Sequence, residues 1–329
     1  MGKKVLALMC SLLLALVGTA NAAEQYVIKL GDVVPESYPH NIAARKFFIP
    51  YVEKKSGGRI KVELYPNGQL GGDRQLVESL QMGTLEAALP STTVAGSFVK
   101  ELQLLDLPFM FKDIDQVHKV QDGSFGKYLS EKAEKQNLKI LCFADIGFLN
   151  LTNSKRVIKS PADLKGLKIR VQESPVQIEM MKMLGATPSP MSFGEVYTAL
   201  QQHVVDGQEH CVNVIGNMRF YEVQKYLSLT GENYSGIAMI FSKQFFDKLP
   251  PDLQKIVTDG ARIFRDEQRK ICVSQQKEWM DKLKGLGMQI YVLTPQERAE
   301  FEKITEPLRD KYGDKVYPEA YKKLQAAIK

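Results

Sequence analysis

Arg170 is the side chain in this 329-residue sequence best placed to hold a ligand. In Lys168-Ile169-Arg170-Val171, Ile169 and Val171 point one way and Arg170 the other. The strand must end there, because Gln172-Glu173-Ser174-Pro175 opens a capped helix. In open α/β sheets ligands sit beyond the carboxyl ends of strands. A guanidinium at that point offers the planar fork that grips a carboxylate with two parallel hydrogen bonds. Position alone leaves a surface arginine paired with a local acid equally open. The residues of catalysis are not arranged to act. The four histidines are His40, His118, His203 and His210, and none lies in a HExxH pattern. No GxSxG elbow or Gly-rich phosphate loop occurs. Glu209-His210-Cys211 places an acid, a base and a thiol in succession, but neighbours on a strand face opposite ways. Cys142, Cys211 and Cys272 show no CxxC and no ligand-spaced cluster, so no metal and no cofactor is expected. Cys142 sits in a strand-like run and Cys272 on an apolar helix face, where both should be buried and inert. The reading is a binding protein, not an enzyme.

The elements that must position Arg170 alternate between strand and helix, the order of a parallel α/β protein. Strands are predicted at Tyr26 to Leu30, Ile60 to Tyr65, Ala87 to Leu89, Leu138 to Ala144 and Leu167 to Val171, with another beginning at Val204. Helices are predicted from about Asn41 to Lys55, from Asp73, from Pro175 to Gly185, and from Ser192 to His203. Pro251 to Gly285 holds apolar residues at three-to-four-residue steps, a helix of about 50 Å at 1.5 Å per residue. That exceeds what one domain needs and suggests a strut across two. A last helix starts at the box Thr294-Pro295-Gln296-Glu297.

Lys3 and Lys4, an apolar run from Val5 to Val17, and Ala20-Asn21-Ala22 read as a cleaved secretory signal, residues 1–22. Removing it takes the formal charge from +6 to +4, spread over amphipathic faces. Nucleic-acid binding is not expected. No later stretch reads as a membrane span.

Several segments resemble the DctP-type solute receptors of TRAP transporters. They are Gly57-Gly58-Arg59-Ile60, Tyr65-Pro66-Asn67-Gly68-Gln69-Leu70-Gly71-Gly72, Leu105-Asp106-Leu107-Pro108-Phe109, Asp163 to Val171, Leu184-Gly185-Ala186-Thr187-Pro188, Phe193 to Gln202, and Val205-Asp206-Gly207-Gln208-Glu209. The resemblance covers nearly the whole mature chain in order. It implies a two-lobed periplasmic binding protein with hinge strands and a helix spanning both lobes. Lobe I would hold 23–147 plus 236–275, and lobe II 148–235 plus 276–329. It implies that Arg170 clamps a carboxylate and that Phe193 packs on the ligand, with Asp73, Phe148, Asn150, Gln172, His210, Asn213 and Tyr234 completing the site. The implied partners are a small organic acid and the membrane permease, with the receptor itself a monomer. A sensor or chemotaxis receptor, or an enzyme on the same scaffold, are the competing readings.

Two positions depart from the family. Leu149 stands where relatives often have a second arginine, and His210 where they often have asparagine. The departures favour a monocarboxylate with an apolar or aromatic body, or with a hydroxyl for His210. They also raise the expectation that protonation of His210 strengthens acid binding as pH falls from about 8 to about 6.

Overall fold

Two sheets organise the chain, and their strands come mostly from short runs bounded by Gly and Pro turns. A computed structural model describes residues 25–329, so the signal segment 1–22 lies outside the described residues. In the first sheet β1 (Tyr26–Gly31) pairs in parallel with β2 (Ile60–Tyr65) and with β3 (Ala87–Ala88). Its other half is antiparallel: β10 (Tyr234–Ser242) lies between β3 and β4 (Leu138–Phe148). The order is β2-β1-β3-β10-β4. The second sheet comprises β5 (Asn150–Asn153), β6 (Lys168–Val171), β7 (Thr187–Pro190), β8 (Gly207–His210), β9 (Tyr226–Leu229) and β11 (Gln289–Val292). Its order is β11-β9-β5-β8-β6-β7. Each sheet, with its helices, is one lobe.

The lobes are joined where strands pass from one sheet to the other. β4 leads into β5 through Leu149, and β9 into β10 through residues 230–233. The two crossings are tied, since the Leu149 N–H donates to the Asn233 carbonyl at 2.9 Å. Gly147, at φ 125°, takes a backbone conformation that a side chain would strain. It sits where the β4–β10 register shifts, between Ser235 and Gly236, and so lets β4 turn out of its sheet.

The third link is the 35-residue helix Pro251–Gly285. Leu253, Val257, Ala261, Phe264, Gln268 and Cys272 recur on one buried face. That face lies on β4 and on the 39–55 helical segment of lobe I, then reaches the Val212–Asn217 helix of lobe II. The chain then adds β11 to the second sheet and packs Pro295–Arg309 on the Pro175–Met183 helix. Pro318–Ile328 returns to lobe I, against the helices Ile114–Asp122 and Ser124–Glu134. This departs from the boundary read in the sequence, which put the whole of 276–329 in lobe II. An amphipathic helix shows which face it buries but not which lobe receives it.

Candidate ligand-binding cleft

The carboxyl ends of β1 and β6 face each other across the lobe boundary, and the site is built from residues at and just beyond strand ends in both lobes. From lobe I, Asp32 comes directly after β1, His40 lies in the next helix, Asp73 opens the Asp73–Met82 helix, and Ser91 lies just past β3. From lobe II, Arg170 lies on β6, Phe193 starts the turn after β7, and His210 ends β8. Asp32, His40, Asp73, Ser91, Phe193 and His210 border one enclosed space, with Tyr38, Ile146, Val214 and Ile237 as its apolar wall. The lobes are shut on it: a cavity of about 20 Å³ remains, room for roughly one water.

Arg170 is 2% exposed. Its Nε and Nη2 donate to the Met191 carbonyl at 3.3 and 3.0 Å, which fixes one edge of the fork. Nη1 is buried without a partner in the protein. Burial pulls the guanidinium down to about 10, against the opposing charges of Glu209 and Asp73, so it stays charged at neutral pH. Gln172 accepts from Ser91 Oγ at 2.8 Å across the lobe boundary, and its Nε2 is left free. Asp73 is half-buried as a residue, but its Oδ1 is fully buried and unpartnered. Burial, then the nearby Asp32, push its carboxyl up to about 7.

His210 overturns the pH expectation. The Cys211 N–H donates to His210 Nδ1 at 3.0 Å, so that nitrogen carries no proton. Burial, then Arg170, then His40 hold its pKa well below the usual histidine value. The ring is therefore neutral, offers its Nε2–H, and packs edge-on against Phe193 at 5.6 Å between centroids.

Of the predicted site residues Asp73, Phe193 and His210 border this space, Arg170 and Gln172 are buried near it without lining it, and the other four lie elsewhere. Tyr234 points into lobe I, where its hydroxyl donates to Asp145 Oδ1 at 2.7 Å and its ring meets Phe111 and Phe148. Phe148 borders grooves on the hinge surface instead. Asn150 pins the crossings, donating to the Phe148 carbonyl and accepting from the Gly231 N–H. Asn213 donates to the Cys272 carbonyl at 2.9 Å and so ties its helix to the long one. Leu149 is fully buried in the apolar cluster that holds Phe193 and Cys211. Asp32, His40 and Ser91 were missed, although Asp32 directly follows a parallel strand, the signal that points to Arg170.

Among the described residues Cys142, Cys211 and Cys272 are free and buried. Burial pushes the Cys142 thiol up to about 12 and also raises Cys211 and Cys272. Among the described residues no cluster suited to a metal ion occurs, and no helix is long and apolar enough to cross a membrane.

The arrangement has counterparts. The 2,3-diketo-L-gulonate-binding periplasmic protein YiaO of Escherichia coli is 35% identical over 288 residues, 88% of this chain and 87% of that protein. The C4-dicarboxylate-binding periplasmic protein DctP of Rhodobacter capsulatus is 35% identical over 307 residues, 93% and 92% of the two chains. The sugar acid binding protein DctPAm of Advenella mimigardefordensis, solved with galactonate, superposes with a TM-score of 0.89 at 32% identity, covering 93% of this chain and 98% of that one. Residues 30–315 match the DctP family model, described as bacterial extracellular solute-binding protein, family 7. With its two lobes, hinge strands and interlobe cleft, this chain belongs to the DctP family of solute receptors of TRAP transporters.

Proposed function

We propose that this receptor captures a small organic monocarboxylate in the periplasm, after cleavage of residues 1–22, and presents it as a monomer to a TRAP membrane permease. The observation that carries the reading is Arg170. A charged guanidinium is buried at the end of β6, held on one edge by Met191 and unpartnered at Nη1. An isolated buried charge is costly, and a carboxylate is the group whose geometry matches the remaining edge. Gln172 Nε2 and the His210 N–H supply further donors on the same lobe. The chemistry is capture rather than turnover. The groups aimed at the cleft are donors and acceptors fixed by their neighbours, and the buried thiols are held protonated. Phe193, Ile146, Val214 and Ile237 exclude water around the bound acid, which strengthens its attraction to Arg170.

Thermal-shift screening of the mature protein with small organic acids tests this. A ligand at 100 times its dissociation constant should add about 2.7 kcal/mol of stability, and Arg170→Lys should abolish the shift. An acid that stabilises wild type and Arg170→Lys equally would remove Arg170 from the site.

A further inference from the structure

The two lobes bring unlike hydrogen-bonding faces to the cleft. Lobe II holds donors: His210, with Nδ1 occupied, has its N–H at Nε2 and borders the space, while Arg170 Nη1 and Gln172 Nε2 are buried near it without partners and do not line it. Lobe I presents acceptors. Asp32 is 1% exposed. Its Oδ1 accepts the N–H groups of Val33 at 2.7 Å and Val34 at 3.4 Å. Its Oδ2 lies 3.4 Å from His40 Nδ1 yet makes no hydrogen bond. Asp73 Oδ1 is likewise buried and unpartnered, and both residues border the same space as Phe193 and His210.

We propose that Asp32 and Asp73 form an acceptor pair that selects, among organic acids, those whose tail carries hydrogen-bond donors, either hydroxyls or an ammonium. The proposal rests on Arg170 holding the carboxylate and decides what lies at the other end of the ligand. Family membership does not decide it, since relatives of equal identity are named for a dicarboxylate and for a keto sugar acid.

A plain alkyl tail would leave both aspartate oxygens buried and unsatisfied, each a desolvation loss. A second carboxylate would bring a third acid beside Asp32 and Asp73, where burial and then Asp32 already push the Asp73 carboxyl up to about 7. Two hydroxyls, or one ammonium, can donate to both oxygens once the Asp73 carboxyl, pushed up to about 7, is ionised, and the buried polar groups then discriminate strongly against analogues that lack these donors. Of the two tails left open by the sequence, an apolar or aromatic body and one with a hydroxyl, the acceptor pair favours the second. The apolar wall covers the flanks of the ligand, and the lobe I end is acidic.

Calorimetry of the intact mature protein with matched four- and six-carbon probes tests the proposal. The probes are polyhydroxy acids, ω-amino acids, dicarboxylates and plain alkanoates. Donor-bearing probes should bind at least 100-fold tighter than the alkanoate or dicarboxylate of equal length. The hydroxyl and ammonium arms distinguish the two donors. Asp32→Asn and Asp73→Asn should each cost the favoured probe at least tenfold, with circular dichroism reporting the fold. Binding of a dicarboxylate or alkanoate within threefold of the donor-bearing acid overturns the acceptor pair while leaving the acid receptor intact. No binding by any class overturns both readings.

Discussion

At the scale of the residue, the chemistry of the cleft depends on which atoms are already spoken for. Arg170 spends Nε and Nη2 on Met191 and keeps Nη1 for a ligand. It is thus a structural tie besides its proposed role as anchor, unlike the surface arginine paired with a local acid that position alone left open. Arg170→Ala should therefore both weaken binding and lower stability. Removing one partner of a buried charge pair costs about 2–5 kcal/mol, so the dissociation constant should rise by roughly 30-fold or more. Calorimetry beside urea unfolding checks both halves, and an unchanged unfolding midpoint would contradict the Met191 tie. For His210 the lowered pKa belongs to the closed cleft, where burial comes first among its causes, so the complex holds the ring neutral and protonation cannot strengthen binding. Affinity for the acid should therefore not rise between pH 8 and pH 6 by calorimetry, and a rise towards pH 6 that His210→Asn removes would refute the neutral ring. Burial, then Arg170 and His40, hold the ring neutral, and its own following N–H sets the tautomer, a contact that no residue pattern announces.

At the scale of the element, the sequence was most legible where periodicity ran long and caps were explicit. The helix Pro251–Gly285 and the box at Thr294 are present as read. β10 was not read at all, because Tyr234–Ser242 is buried on both faces and gives no alternation. β8 begins at Gly207 rather than Val204, since Val204 and Val205 lie in the turn that brings the chain back to the sheet. Arg170 was found through one strand end, and Phe193 and His210 only through the family resemblance; the strand-end rule applied to β1 would have found Asp32. The joint between the long helix and lobe II depends on a close approach that sequence does not display. A Cβ on Gly216 would lie 2.1 to 2.5 Å from ring atoms of Trp279. Gly216→Ala should therefore destabilise the protein by about 1–3 kcal/mol, the usual cost of overpacking. Urea unfolding measures it, and a midpoint equal to that of wild type would show that Trp279 can move aside freely.

At the scale of the whole molecule, the question is what holds the lobes together. Bonds across the boundary include Ser91 to Gln172, Ser97 to the Glu173 carbonyl and Arg74 to Glu173. Asp106 accepts from Thr93, Ser174, Gln177 and Asn233, and so gathers lobe I, lobe II and a hinge crossing at one carboxylate. The Arg74–Glu173 pair is partly exposed. Such pairs contribute about 0–1 kcal/mol, so Arg74→Ala should change ligand affinity less than about fivefold. Against these bonds, shutting the cleft without a ligand buries Asp32 Oδ2, Asp73 Oδ1, Arg170 Nη1 and Gln172 Nε2 unsatisfied. At roughly 1–3 kcal/mol each, the penalty is comparable to the ~5.5 kcal/mol that moves a two-state equilibrium from 1:99 to 99:1. Under the proposed reading, a ligand that satisfies these atoms would remove the penalty, act as the switch for closure and let a permease distinguish loaded from empty receptor. Small-angle X-ray scattering should show a smaller radius of gyration at saturating ligand than without it. Arg74→Ala should contract as wild type does, whereas Arg170→Lys should not contract at the same ligand concentration. Identical scattering from free and saturated wild-type receptor would mean that closure does not wait for the ligand.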